Sequence, residues 1–328
     1  MFNREHEVLS AMREVRSKHL ITRLAAFKDM DSSTVGGFLF PWAQADLNGF
    51  WHQNSDQHRV EEIHRWAFLQ LKGISEALRD LDTMYGQSQK NIRHGDLKPG
   101  NILWLPGNNG LGYLAIADAG LAKVHGQPTR YRFGPTTTIF ASKPYAAPET
   151  TGMAPKMPTS RKFDMWSMGC ICIEFIVWLM YGDSELQRFT FGQTTPRSDK
   201  RVFKSFYTYN VKHAFKSTLH PHVTRWTDHI RNDEGCGATT ALRALLDLAL
   251  QHLLVAETKS RCSSDYFATE MGSINSQFEQ RSLTFRTASR SIGPLDPSPT
   301  GSCGLLSWLV QPRGVQDTMV RPNRLNGS

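Results

Sequence analysis

Residues 94–101 read His-Gly-Asp-Leu-Lys-Pro-Gly-Asn, and this short run gathers the side chains of phosphate chemistry. Asp96 can accept or orient a hydroxyl proton, Lys98 can neutralise a travelling phosphoryl group, and Asn101 can hold a metal ion beside them. Pro99 and Gly100 keep the segment a loop. The apolar run Ile102–Leu105 predicts a short buried strand, which sets the polar side chains at an element edge facing a cleft.

Upstream, residues 60–85 carry Ile63, Trp66, Ala67, Leu71, Ile74, Leu78 and Leu81 at three- and four-residue steps, which predicts a core helix. It ends near Gly86, and Ile92 leads into the loop, so a rigid element positions the loop from behind. Residues 3–16 predict an amphipathic helix with Val8, Leu9, Met12 and Val15 on one side. Residues 20–27 and 37–42 predict two antiparallel strands, with Pro41 ending the second or lying at its edge. Residues 46–53 open another helix through Leu47, Phe50 and Trp51.

Downstream, residues 106–112 predict a turn, residues 113–117 a strand, and Asp118-Ala119-Gly120 follows it. Residues 123–146 are polar and punctuated by Gly126, Pro128, Gly134, Pro135 and Pro144, a long loop of the lid or switch kind. Residues 164–181 are strongly apolar but broken by Gly169 and Glu174, which predicts a helix buried on all sides and not a membrane span. Residues 183–235 are expected to form helices joined by loops. His220, His222 and His229 there lack carboxylate or thiol partners at ligand spacing, so a metal reading is set aside. Residues 242–255 predict a further helix, and the composition after about residue 272 predicts a disordered tail with an apolar patch at 305–310.

A chain of 328 residues accommodates one large or two modest domains. Its first residues lack the apolar core of a signal peptide. The five cysteines are odd in number and irregularly spaced, which suits reduced thiols in an intracellular, cytoplasmic or nuclear setting. Cys170 and Cys172 are too close for the usual zinc spacing. The net charge of +8 is scattered, with no basic block to mark a nucleic-acid arm. No repeat of solenoid or propeller period is present, and no pattern reads out an oligomeric state.

The order of short motifs carries more than any one of them. His94 to Asn101 is followed by Asp118 to Gly120 at a strand end, then Ala147-Pro148-Glu149, then Asp164-Met-Trp-Ser-Met-Gly169 opening the apolar helix, then Arg261 beyond a late helix. That series resembles the eukaryotic-type serine/threonine protein kinase domain over roughly residues 2–270. The resemblance implies an α+β fold: a truncated small N-lobe of one helix and short antiparallel strands over residues 1–45, and a mainly helical C-lobe over 46–271. Residues 272–328 remain as the tail.

The same resemblance implies ATP and magnesium as cofactors and a protein as substrate, with nucleic acid and membrane not expected as partners. Asp96 corresponds to the catalytic aspartate, Lys98 to the lysine that stabilises the transferred phosphoryl and favours serine or threonine substrates, and Ser142 to the hydroxyl residue that braces both. Asn101 and Asp118 correspond to the magnesium ligands, Glu5 to the helix glutamate that pairs with the phosphate-binding lysine, and Phe40, Trp42, Ala43 and Leu103 to the cofactor-binding hinge and cleft. Glu149 and Arg261 correspond to a buried ion pair, and Asp164 to the aspartate that holds the catalytic-loop backbone.

Three departures stand out. Gly95 replaces the usual arginine, so a phosphate at Thr136, Thr137 or Thr138 would lack its common receptor. Ala119 replaces the phenylalanine after the metal-binding aspartate. The sequence begins only four residues before Glu5, so the glycine-rich strands and the lysine strand are expected to be missing. The alternative to an active kinase is therefore an inactive kinase-like scaffold or binding module.

Overall fold

The computed structural model describes residues 6, 9–10, 12–28, 36–83, 91–107, 110–118, 123–125, 143–150, 162–192, 194–196, 202–210 and 216–288. All belong to one compact unit spanning Met1–Leu295. Glu5, Ala119, Gly120, Thr136 to Thr138, Ser142 and the apolar patch at 305–310 lie outside the described residues.

Residues 9–10 and 12–14 are helical, and Leu9 and Met12 are buried in the main core, as their spacing predicts. A short extended segment follows and joins the sheet behind the site: Ile21 N–H donates to Ile116 O at 2.8 Å, and Ile116 N–H donates to His19 O at 2.8 Å. Strands β1 (Ala25–Lys28) and β2 (Gly36–Leu39) form an antiparallel pair in register Ala25 to Leu39. Pro41 follows the end of β2, where its missing N–H costs no ladder bond.

Strand β3 (Ala45–Asp46) leads into helix α1 (Leu47–Gln53), which Asp46 caps by accepting Gly49 N–H at 2.8 Å. Helix α2 (Glu61–Thr83) buries the predicted stripe from Ile63 to Leu81 and runs toward β4 (Asn91–Arg93). A single 3₁₀ turn at Pro99–Asn101 connects the loop to β5 (Ile102–Leu105), and β6 (Tyr113–Ile116) returns beside it. Strands β3, β5 and β6 make one antiparallel sheet, with Asp46 opposite Leu103 and Leu103 opposite Ala115. β4 pairs with β7 (Lys123–His125), so the expected loop over residues 123–146 opens with a strand. Three residues are too few to show a period.

Helix α3 (Lys162–Tyr181) is the centre of the molecule. It is the one helix among the described residues long and apolar enough to cross a membrane, and it is enclosed on every side by protein. Trp178 Nε1–H donates to Trp51 O at 2.9 Å, Trp166 packs edge-on against Tyr207, and Tyr181 packs against Trp226. Gly169 lets the chain at Leu253 and Leu254 approach closely: a methyl group there would lie 2.8 Å from Leu254 Cγ and 2.9 Å from Leu253 Cβ.

Beyond α3 the expectation of helices joined by loops needs correction. Helix α4 (Asp183–Gly192) is followed by two hairpins, β8 (Thr194–Pro196) with β9 (Val202–Lys204), and β10 (Tyr207–Asn210) with β11 (Lys216–Leu219). Threonine and tyrosine favour these strands, but runs this short carry little alternation to read. Helix α5 (Pro221–Asn232) is capped by the His220 ring, and His222 Nε2 meets Phe189 O at 3.0 Å, so both histidines serve packing.

The predicted helix over 242–255 is α6 (Ala241–Leu248) continued as a π-helical turn through Leu253. The tail predicted from residue 272 does not start there, because α7 (Ser264–Glu279) continues through it. Polar composition concealed its anchors: Ile274 and Phe278 are buried, Phe278 packs edge-on against Phe68 at 5.3 Å, and Thr284 N–H donates to Thr239 O at 2.8 Å.

Replacing Phe278 by alanine should therefore cost about 3–5 kcal/mol in chemical denaturation, the range for emptying a buried aromatic site. A loss under about 1 kcal/mol would return this residue to the tail.

Candidate active site

The loop between β4 and β5 is held from beneath by Asp164 in the first turn of α3. One carboxylate oxygen accepts His94 N–H at 2.8 Å and the other accepts Gly95 N–H at 2.9 Å. Gly95 has φ of 83°, in the left-handed region that glycine enters at no steric cost, so the residue that replaces arginine here also relaxes the backbone. The His94 ring is fixed at both nitrogens: Nε2 donates to Ala117 O at 2.8 Å, and Nδ1 accepts Asp96 N–H at 3.3 Å. Those partners select the Nε2–H tautomer. Burial pushes the Asp164 carboxyl above its ordinary value, opposed by the charge that His94 carries when protonated, by Arg93 and by the two backbone donors.

Asp96, Lys98 and Asn101 meet as the sequence predicts. Lys98 Nζ donates to Asp96 Oδ2 at 2.8 Å, and Asn101 Nδ2 donates to Asp96 Oδ2 at 3.1 Å and to Asp96 O at 2.9 Å. The backbone closes the circle, since Ala117 N–H donates to Asn101 O at 2.8 Å and brings Asp118 alongside. Asp118 is exposed and has φ of 60°, a left-handed conformation that aspartate tolerates better than most residues.

These groups fit a magnesium ion. Asn101 spends its amide nitrogen on Asp96, which leaves Oδ1 as an oxygen donor, and Asp118 follows Ala117, whose N–H bonds Asn101 O. Among the described residues no group of three or more His, Cys, Asp or Glu gathers, a pattern unlike a zinc or calcium cage. One carboxylate and one amide oxygen, completed by water and phosphate, is what magnesium takes.

Phe40, Ala43 and Leu103 also converge, packing around Ile21, Leu105, Ala115 and Ala117 in a small apolar cluster that ends one residue before Asp118. Trp42 is not drawn in: its side chain is 76% exposed.

The expected Glu149–Arg261 pair is present and bidentate, at 2.8 and 3.0 Å. The Arg261 side chain is fully buried, donates further to Lys162 O and Val255 O at 2.9 Å each, and lies over the Trp166 ring. This clamp ties the turn at Pro148–Thr150 to the base of α3. Two groups escaped the sequence reading. Tyr145 OH donates to both Glu174 oxygens at 2.9 and 3.0 Å, and Ser167 Oγ donates to Tyr145 O at 2.9 Å. Burial, then the Glu174 charge, raises the Tyr145 hydroxyl well above its ordinary value. A lone carboxylate within an apolar helix was the signal that a partner would be found. Arg93, buried on β4, is the second and had no motif to announce it.

A mainly helical lobe with a small antiparallel sheet, a loop presenting Asp96, Lys98 and Asn101, and an aspartate just after β6 make up the layout of a protein kinase domain. The chain belongs to the protein kinase family: the protein kinase domain profile matches residues 3–265. It is similar to the serine/threonine-protein kinase nekl-2 of Caenorhabditis elegans, 29% identical over 53% of this chain and 46% of that protein. It is similar also to cyclin-dependent kinase D-1 of Arabidopsis thaliana, 27% identical over 58% of this chain and 44% of the relative. The glycogen synthase kinase-3 homolog YGK3 of Saccharomyces cerevisiae is 30% identical over 54% of this chain and 44% of its own. The matched regions span just under half the length of these relatives.

Breaking the clamp from its more exposed side tests its weight. Glu149→Ala leaves the Arg261 guanidinium buried without its counter-charge and should lower stability by about 3–5 kcal/mol in urea titrations. A change within about 0.5 kcal/mol would show that the backbone carbonyls alone satisfy Arg261.

Proposed function

We propose that this chain transfers the γ-phosphoryl group of ATP to serine or threonine hydroxyls of a protein substrate, with Asp96 as the catalytic base. The observation that carries this reading is the three-way contact of Asp96, Lys98 and Asn101, in which each group limits where the others can point.

Asp96 Oδ2 is restrained by two donors, so the carboxylate is set to accept a hydroxyl proton and to orient that oxygen. Lys98 keeps its ammonium group beside the base and partly open to solvent, where it can neutralise charge on the phosphoryl group as it moves. Asn101 Oδ1 and the Asp118 carboxylate would hold magnesium, which when bound neutralises charge on the β- and γ-phosphate oxygens. Phe40, Ala43 and Leu103 would take the adenine against their apolar cluster. Positioning dominates this chemistry, and the anchors from Asp164 to the loop backbone supply it.

A kinase-like binding module is the competing reading. In its favour, the sheet formed by β1 and β2 has only two strands among the described residues, little wall to close over the phosphates.

Thermal unfolding with and without magnesium and ATP separates the two. A clear upward shift of the midpoint is expected, and no shift at saturating nucleotide would leave the binding module. Where transfer to a protein substrate is measured, Asp96→Asn should reduce kcat by at least about a hundredfold. Retained transfer in that variant would remove Asp96 from the role of base.

A further inference from the structure

The catalytic loop lacks the arginine that commonly follows its histidine, yet an arginine stands immediately before it. Arg93 is the last residue of β4, adjacent in sequence to His94 and 7% exposed. Its guanidinium carbon lies 5.7 Å from the centre of the Phe163 ring, and Phe163 precedes Asp164 in α3. Arg93 thus sits between the loop that carries the base and the helix that holds the loop. We infer that Arg93 is a positioning residue, whose buried charge compensates Asp164 and Glu149 and so keeps the catalytic loop seated on α3. The inference rests on the proposed phosphoryl-transfer reading for its effect on rate, but not for its effect on stability.

Charges buried away from water must be balanced close by. Asp164 is buried and holds two backbone N–H groups with its two oxygens. Two dipoles restrain such a carboxylate but supply no full counter-charge. Glu149 is engaged bidentately by Arg261. With Arg93 included, the cluster contains two carboxylates and two guanidiniums. Among the described residues, removing it leaves the two carboxylates Asp164 and Glu149 with the single guanidinium of Arg261.

Burial works against the charge of Arg93, and Asp164 and then Glu149 support it. Reciprocally, Arg93 is among the groups that hold down the raised Asp164 carboxyl. Among the described residues the other titratable group acting on this carboxylate is His94 from the loop; Glu149 acts on Arg93 and is paired with Arg261, and Lys162, on the same helix as Asp164, donates through Nζ to Lys259 O at 2.9 Å.

The sign of the pH dependence follows. A carboxyl whose folded value lies above its unfolded one loses the fold stability as pH rises through the interval between them. Removing Arg93 moves the folded value of Asp164 further up. The penalty of the substitution is therefore small where Asp164 is protonated and largest where it is ionised.

The test compares the full chain with Arg93→Met, which keeps the length of the side chain, and Arg93→Lys, which keeps the charge. The gap in unfolding midpoint between wild type and Arg93→Met should widen as pH is raised from the acid side, where Asp164 is protonated, to the side where it is ionised, and Arg93→Lys should recover most of it. Where phosphoryl transfer is measurable, Arg93→Met should lower kcat by about tenfold or more and move the acid limb of the rate profile upward. A gap that does not change with pH would make Arg93 a packing residue and overturn the inference. So would an Arg93→Lys variant as impaired as Arg93→Met. If Arg93→Met fails to fold at neutral pH, recovery of folding on the acid side supports the inference and failure there overturns it. Absence of transfer in the wild type would sink the kinase reading while leaving the stability comparison to judge Arg93.

Discussion

Two hydrogen bonds from the backbone of His94 and Gly95 to the carboxylate of Asp164 are the constraint on which the site depends. A loop has no ladder of its own to hold it, so a loop that must place three side chains to within a fraction of an ångström needs an external anchor. Here the anchor projects from a helix that cannot shift, because α3 is packed on every side. The rigidity of the apolar core is thus passed to a polar site through one residue. From that point the order propagates along the chain: His94 fixes Ala117, Asp96 fixes Lys98 and Asn101, and Ala117 fixes Asn101.

The cost of this design is a set of charges in the interior. Asp164, Glu149, Arg261 and Arg93 gather at the start of α3, with Trp166 and Phe163 as the rings beneath the two guanidiniums. A buried ion pair adds little net stability against a well-packed apolar substitute, but breaking one is expensive. Such a cluster specifies geometry: it permits one seating of the turn at Pro148–Thr150 and one seating of the loop, and penalises the rest.

Much of this was legible before any coordinates. The cluster of Asp96, Lys98 and Asn101 was readable as a candidate site because phosphate chemistry needs rare side chains at fixed spacing, and α2 and α3 because their apolar patterns run for five turns or more. The antiparallel pair of β1 and β2 was readable from the polar, glycine-containing stretch between two apolar runs. What failed was short or averaged. β7 and the two hairpins after α4 have strands of three or four residues, below the length at which a period of two can be told from chance. The last helix was lost because composition weighs every residue equally, whereas α7 is held by a few: Met271, Ile274 and Phe278 among serines, asparagine and glutamine. Arg93 belongs to no motif, and its role emerges only when α3 is folded against it.

The enclosure of α3 also orders events during synthesis. Its cover comes from Trp51 early in the chain, from Tyr207 and Trp226 later, and from Leu253 and Leu254 later still. A twenty-residue helix with no polar face leaves the ribosome well before Leu254, Arg261 and α7, which complete its cover. Until they arrive it is an exposed apolar rod, and the contacts that bury it are distant in sequence and slow to form. The same element that makes the mature site rigid is therefore exposed apolar surface on the nascent chain until the segment through α7 has been made.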